Sequence, residues 1–183
     1  MRGAIDNWGT TPEERGRHFP CDDALPEHEQ ALFRGVTVEA PPAVVFRWLC
    51  QLKVGPYSYD LIDNRGRRSP QHLVLGVEQL VVGERVQIFE LASFAVDEHL
   101  TLLVRGHRAF GDVAMSYVVT PAGPGASRLV VKLAFVPPSG VVGAVLRRVL
   151  PTGDLVMIRR QLLNLKALAE GTAASSGSSS EVG

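Results

Sequence analysis

Polar and apolar positions along this chain alternate between a period of two and a helical period, and the changes mark out its elements. In RGVTVEA, Val36 and Val38 alternate with Thr37 and Glu39, the pattern of a strand with one buried face. PPAVVFRWLCQL follows. Pro42 suits a first helical turn, where a missing N–H costs nothing, and Val45, Trp48, Leu49 and Leu52 recur at helical spacing. Period two returns in ERVQIFEL after Gly83, in HLTLLVRG after the AVDEH turn, and in DVAMSYVVTP, which the turn PAGPG joins to SRLVVKLAFVP as a hairpin. Beyond Pro137 and Pro138, SGVVGAVLRRVL reads as a short helical segment that Pro151 interrupts. A longer helix then runs from about Asp154, with Leu155, Ile158, Leu162, Leu165 and Ala169 on its buried stripe. Strands grouped together with helices at the ends indicate an α+β domain with an antiparallel sheet.

The flanks differ from this core. Residues 1–33 form a polar leader with few apolar anchors (Trp8, Phe19, Leu25), expected to lie on the domain surface or to be partly flexible, with a helical turn or two near PEHEQALF. Residues 171–183, GTAASSGSSSEVG, lack large apolar groups and are expected to be a disordered tail, because they bury too little surface to offset the entropy of ordering. The domain itself spans residues 34–170.

Composition narrows the function classes. The 183 residues are 45% hydrophobic and 21% charged, enough for one sizeable core. Lysine plus arginine and aspartate plus glutamate both number 19, which argues against a general nucleic-acid binder. No apolar run approaches the roughly 18–20 residues of a membrane span. The first residues carry charge and glycine where a signal peptide needs an apolar stretch, so a cytoplasmic protein is expected; a monomer or homodimer is the expected assembly. Cys21 and Cys50 have no sequence support for a disulfide, and Cys50 reads as a small core residue.

Strand parity outlines an interior. Arg128 and Lys132 share one parity, which turns Leu129, Val131, Leu133 and Phe135 inward. By the same reading Leu100, Leu102 and Val104 point in, as do Val113, Met115, Tyr117 and Val119, and so do Val86, Ile88 and Glu90 of ERVQIFE. The inner face is nearly all aliphatic, with Tyr117 and Glu90 as sparse polar groups, which is how small-molecule pockets are built. The same residues serve equally to fill a solid core.

Outside that interior, PYSYDLIDNRGRRS (residues 56–69) crowds polar groups together. Ser58 with Asp60, and Asn64 with Gly66, suit the two ends of a short helix. Arg65, Arg67 and Arg68 pair most simply with Asp60 and Asp63, and no glycine-rich phosphate loop accompanies them. What is left is Tyr59, with Tyr57, at the rim of a cavity built elsewhere. His18, Cys21, Asp22, Asp23 and His28 match no zinc spacing, so no metal is expected; no G-x-S-x-G marks a nucleophile, and no cofactor is expected.

This order of elements resembles the START-like superfamily, also called SRPBCC or helix-grip, which includes Bet v 1-type proteins and polyketide cyclases. The likeness spans residues 34–170 and rests on RGVTVEAPPAVVFRWLCQL, the QLVVGERV turn and the closing long helix. PYSYDLIDNRGRRS is similar to the YSYDW-[IL]-DN-x-GR-x-S string of one branch, with Leu61 in place of the tryptophan. The resemblance implies a curved antiparallel sheet wrapped around a long C-terminal helix, with short helices between the first and second strands. It also implies an apolar cavity that holds a lipid, a polyketide or a similar small molecule. In such a cavity Tyr59, Glu90 and Tyr117 orient the ligand, while Ile88, Leu102, Met115, Leu133, Phe135 and Met157 pack it. A polyketide cyclase or dehydratase using the same space, with Glu90 or Tyr117 as acid/base, is the first alternative. A cavity-free module that binds a partner protein is the second.

Overall fold

The computed structural model describes residues 6–58, 68–108 and 111–178. Seven strands among them form one sheet: β1 (Asn7–Trp8), β2 (Gln30–Val38), β3 (Arg85–Val86), β4 (Phe89–Ala95), β5 (His99–His107), β6 (Gly111–Gly123) and β7 (Ala126–Val136). Their order is β1-β2-β7-β6-β5-β4-β3, with β1 parallel to β2 and every other neighbour antiparallel. The sheet is therefore mixed, because the leader adds its own short edge strand. Helix α3 (Pro42–Cys50) and a single 3-10 turn (Gln51–Lys53) follow β2, and a long helix, α4 (Gly140–Ser178), closes the chain. This is the helix-grip arrangement.

Parity places the inner face well along β5, β6 and β7. Leu100, Leu102, Met115, Tyr117, Val131 and Phe135 join α3 and the α4 residues Ile158, Leu162, Leu165 and Ala169 in one buried cluster. The far end of α4 is tied down by hydrogen bonds: Trp48 Nε1 donates to Thr172 Oγ1 at 3.0 Å, and the Glu39 backbone N–H donates to Glu170 Oε1 at 2.8 Å. These anchors flank the expected start of the disordered tail at residue 171, and the helix continues to Ser178 instead of ending near Gly171. It also runs through Pro151 without a break.

The parity argument fails in ERVQIFEL, which is not one strand. Val86 pairs with Phe89 across a two-residue turn in which Gln87 adopts φ 58°. Parity does not carry through a turn. Val86 stays buried, whereas Ile88 sits in the turn with its side chain exposed and Glu90 is exposed on β4. Neither belongs to the inner face.

The leader also departs from expectation. Its helices are α1 (Pro12–Arg15) and α2 (Pro20–Ala24), while Gln30–Phe33 of the PEHEQALF region are strand, paired with the end of β7. Thr11 and Glu14 form a reciprocal capping box that starts α1. Glu14 then pairs with Arg128 Nε at 2.7 Å, and Asp22 pairs with Lys132. The Lys132 ammonium lies 5.7 Å from the Phe19 ring centre and 5.5 Å from that of Phe33. Cys21 donates its backbone N–H to Ser116 Oγ at 2.8 Å, and Ser116 bonds Thr101. Side chains that parity turns away from the inner face are thus roofed by the leader, and Phe19, Cys21 and Leu25 form a second buried cluster with Ala114, Val130 and Ala134. The sheet has two covered faces.

Because Phe19 is a buried part of that roof, Phe19→Ala is expected to lower stability by about 3–5 kcal/mol, read from the urea midpoint. A leader merely appended to a self-sufficient domain would give a change under about 0.5 kcal/mol.

Candidate functional site

The inner face carries a polar constellation set into apolar surroundings. Arg34 shares the parity of Leu32, Val36 and Val38 on β2, so its side chain points under α4 and is almost wholly buried. Its Nη2 lies 2.7 Å from Asp154 Oδ2 and donates to the Pro151 carbonyl at 3.2 Å. Its Nη1 donates to the carbonyls of Asp6 and Phe33 at 2.7 and 2.8 Å. Nε has no hydrogen-bond partner among the described residues. One guanidinium therefore joins the leader, the sheet and the C-terminal helix.

Asp154 is buried one turn before Ile158, on the stripe that faces the sheet. Burial pushes its carboxyl from 3.8 up to about 6, against the pull of Arg34. Burial also draws the Arg34 guanidinium below its ordinary value, opposed chiefly by Asp154. Two turns further along α4, Gln161 links two groups. Tyr117 Oη donates to Gln161 Oε1 at 2.7 Å, and Gln161 Nε2 donates to the Pro56 carbonyl at 2.6 Å. Burial raises the Tyr117 hydroxyl above its ordinary value, and the charge of Asp154 adds to the shift. Tyr117 is thus held as a neutral donor.

Beside the ion pair lies a partly open cavity of about 400 Å³, lined by Asp6, Gln30, Ala31, Leu32, Arg147, Arg148, Pro151 and Thr152. It sits at the seam between the start of β2 and the first turns of α4. Two of its wall residues, Asp6 and Pro151, supply the carbonyls that hold Arg34, so the ion pair stands against that wall.

The sequence-derived site residues separate into three groups. Leu102, Met115, Tyr117, Leu133 and Phe135 lie together in the buried cluster under α4. Ile88 and Glu90 are at the surface for the reason given above, and Met157 is exposed too, because it follows Val156 on the solvent side of α4 and not the Asp154–Ile158 stripe. Tyr59 lies outside the described residues, as do Asp60, Asp63, Asn64, Arg65, Gly66 and Arg67. Tyr57 is not at a rim. It is buried against Trp48 with ring centres 6.1 Å apart, its N–H donates to Ser69 Oγ at 3.0 Å, and its carbonyl accepts from Asn164 Nδ2 at 2.8 Å.

Arg34, Asp154 and Gln161 were missed. The signal was present: Arg34 has the inward parity of Val36 and Val38, and Asp154 stands four residues before Ile158 on the helical stripe. A charged residue at a core position is the anomaly worth reading.

The other chemistry-bearing groups are taken up by structure. Both cysteines are free and buried, and burial raises both thiols, Cys50 to about 12. His18 pairs with Asp23 at 2.9 Å, within the leader. Among the described residues no group of three or more histidines, cysteines and carboxylates is arranged to hold a metal ion. No described helix is long and apolar enough to cross a membrane.

No family model matches the chain, and no curated protein matches it either. Solved structures do. Protein MLL2253 from Mesorhizobium loti superposes with a TM-score of 0.51 at 14% identity, over 78% of this chain and 98% of that one. The di-domain ARO/CYC BexL from the BE-7585A biosynthetic pathway gives a TM-score of 0.50 at 14% identity; 77% of this chain is covered but only 46% of BexL, about half its length. A START superfamily protein from Mycobacterium smegmatis aligns over 79% of this chain and 97% of its own at 17% identity, with a TM-score of 0.44. Identities this low speak for the fold alone: a curved sheet closed by a long C-terminal helix, the helix-grip arrangement.

Two expectations follow from the ion pair. Arg34→Met or Asp154→Leu alone is expected to cost about 3–5 kcal/mol, since each strands a buried charge, while the double variant recovers most of the loss in urea unfolding. A double variant as unstable as the sum of the two singles would show that they do not act as a pair. In addition, the raised Asp154 value makes its contribution fully present below 3.8 and lost as the pH rises through about 6. The stability of Asp154→Asn relative to the parent protein should therefore rise across that window and stay flat above it.

Proposed function

We propose that this chain binds a small, mainly apolar molecule with one polar end in the space between the sheet and α4. The observation that carries the reading is the cavity of about 400 Å³ at the β2–α4 seam, backed by the buried Arg34–Asp154 pair. A buried charge pair is costly to desolvate and is weakly justified by stability alone. Placed against a cavity wall in an otherwise aliphatic interior, it supplies the sparse, oriented polarity that a ligand pocket uses. Arg34 itself is buried behind the cavity wall, with its Nε lacking a hydrogen-bond partner among the described residues. Tyr117 and Gln161 lie deeper on the same face among the packed Leu102, Met115, Leu133 and Phe135, and none of the six lines this cavity. The START-like fold supports the same reading, by analogy of architecture.

A second reading is favoured by one observation. Asp154, with its carboxyl raised to about 6, titrates near neutrality beside a neutral Tyr117, the pairing an acid/base catalyst needs. Cyclase or dehydratase chemistry on a bound polyketide-like substrate fits that pair, and BexL, an ARO/CYC protein, shares the architecture. In this version Asp154 takes the acid/base role for which Glu90 is too exposed.

Native mass spectrometry of the purified protein tests the binding reading. A retained small molecule is expected, and Gln30→Trp, which fills the cavity from a wall position of the same parity as Leu32 and Arg34, should release it while the melting temperature holds. Retention that Gln30→Trp leaves unchanged would place the ligand elsewhere and overturn the assignment.

A further inference from the structure

The solvent side of α4 is apolar where a surface helix is ordinarily polar. Val145, Val149, Val156 and Leu163 fall at steps of four, seven and seven, which stacks them along one face opposite the buried Ile158, Leu162 and Leu165. They are 54%, 59%, 49% and 41% exposed. Arg148 and Arg159 flank this ridge and are exposed, the latter with its guanidinium 5.4 Å from the Trp8 ring centre. Acidic groups are missing from the ridge as far as Leu163, and Glu170, one further step of seven along the helix, is paired with Lys166 and the Glu39 N–H. Asp154 is the sole acidic residue between Gly140 and Ala169, and it is buried against Arg34. Glu29 reaches α4 from the leader, but it pairs with Arg147 on the cavity side.

From this arrangement we infer that the ridge of α4 docks the protein on an anionic lipid surface. An apolar helical face edged by arginine is the composition of helices that lie in the membrane interface: the valines enter the acyl boundary and the guanidinium groups reach the phosphates. Two other occupants fit less well. In an antiparallel contact between two copies centred on Val149 and Val156, Arg148 of one copy lies beside Arg159 of the other, and like charges oppose the pairing. A peptide would need a groove, and a single helix presents a convex ridge. A fluid lipid surface accepts a convex ridge and supplies the negative charge. Because Arg147 and Arg148 also line the cavity, docking would bring the cavity mouth to the lipid surface. The inference itself rests on the ridge and holds whether or not the cavity binds a ligand.

Flotation with mixed phosphatidylcholine–phosphatidylglycerol vesicles tests it, with pure phosphatidylcholine vesicles as the comparison. Binding to the anionic vesicles is expected, with little to the neutral ones and a loss on adding salt. Val149→Asp with Val156→Asp should abolish it, and Arg148→Gln and Arg159→Gln should each weaken it roughly fivefold, the share of one basic residue near the surface. All of these side chains are exposed, so thermal melts of the variants should match the parent within a few degrees. The inference is overturned by no binding to anionic vesicles, by equal binding to neutral ones, or by binding that the paired valine variant leaves intact. Concentration-dependent dimerisation lost in that variant, without vesicle binding, would show that the ridge pairs with a second copy instead.

Discussion

A guanidinium held away from water governs how the layers of this domain meet. Arg34 rises from the second strand into the interior, where its desolvation must be offset by groups from every neighbouring layer: a leader carbonyl, a strand carbonyl, a helix carbonyl and the Asp154 carboxylate. None of those groups is close to Arg34 in sequence except Phe33. The pair therefore favours one placement of α4 against the sheet, because sliding the helix by one turn would leave two charges buried without partners. The helix runs on through Pro151, whose carbonyl is one of the acceptors.

The same physical rule organises the opposite face. Arg128 and Lys132 belong to the outward parity of β7, and as open surface they would need no explanation. Instead the leader supplies Glu14 and Asp22 to them and lays Phe19 beside the Lys132 ammonium. Burial here rests on local pairing of opposite charge combined with aromatic packing, so the sheet is covered on one side by a helix and on the other by a segment with little regular structure. A leader that looks featureless as sequence is part of the architecture.

The apolar ridge of α4 and the cavity at its base draw on one helix in two ways. Its inward stripe, from Asp154 through Ile158 and Leu162, completes the core, while its outward stripe of valines and leucine stays uncovered. A helix apolar on two opposite faces is under two separate constraints, and packing against the sheet accounts for only one of them.

The periodicities alone specified β5, β6, β7, α3 and the second half of α4, and most of the inner face. Leu102, Met115, Tyr117, Leu133 and Phe135 point under α4 because a strand alternates sides with no freedom to do otherwise, and the closing helix follows from its three-and-four spacing. Period is a local property, so it stops being informative at the first turn it crosses. That is why parity extended through ERVQIFEL puts Ile88 and Glu90 on a face they do not occupy; Met157 lies off the helical stripe, and only the resemblance suggests it for the interior. Only the tertiary structure decided that Arg34 and Asp154 meet, that the leader roofs the sheet, and that α4 continues past Gly171 to hydrogen-bond Trp48 and Glu39. Each of these depends on contacts between residues more than a hundred positions apart or on segments without strong periodicity. Propensity and pattern carry no term for such contacts. They form because a buried polar group must find a partner wherever the chain brings one within reach.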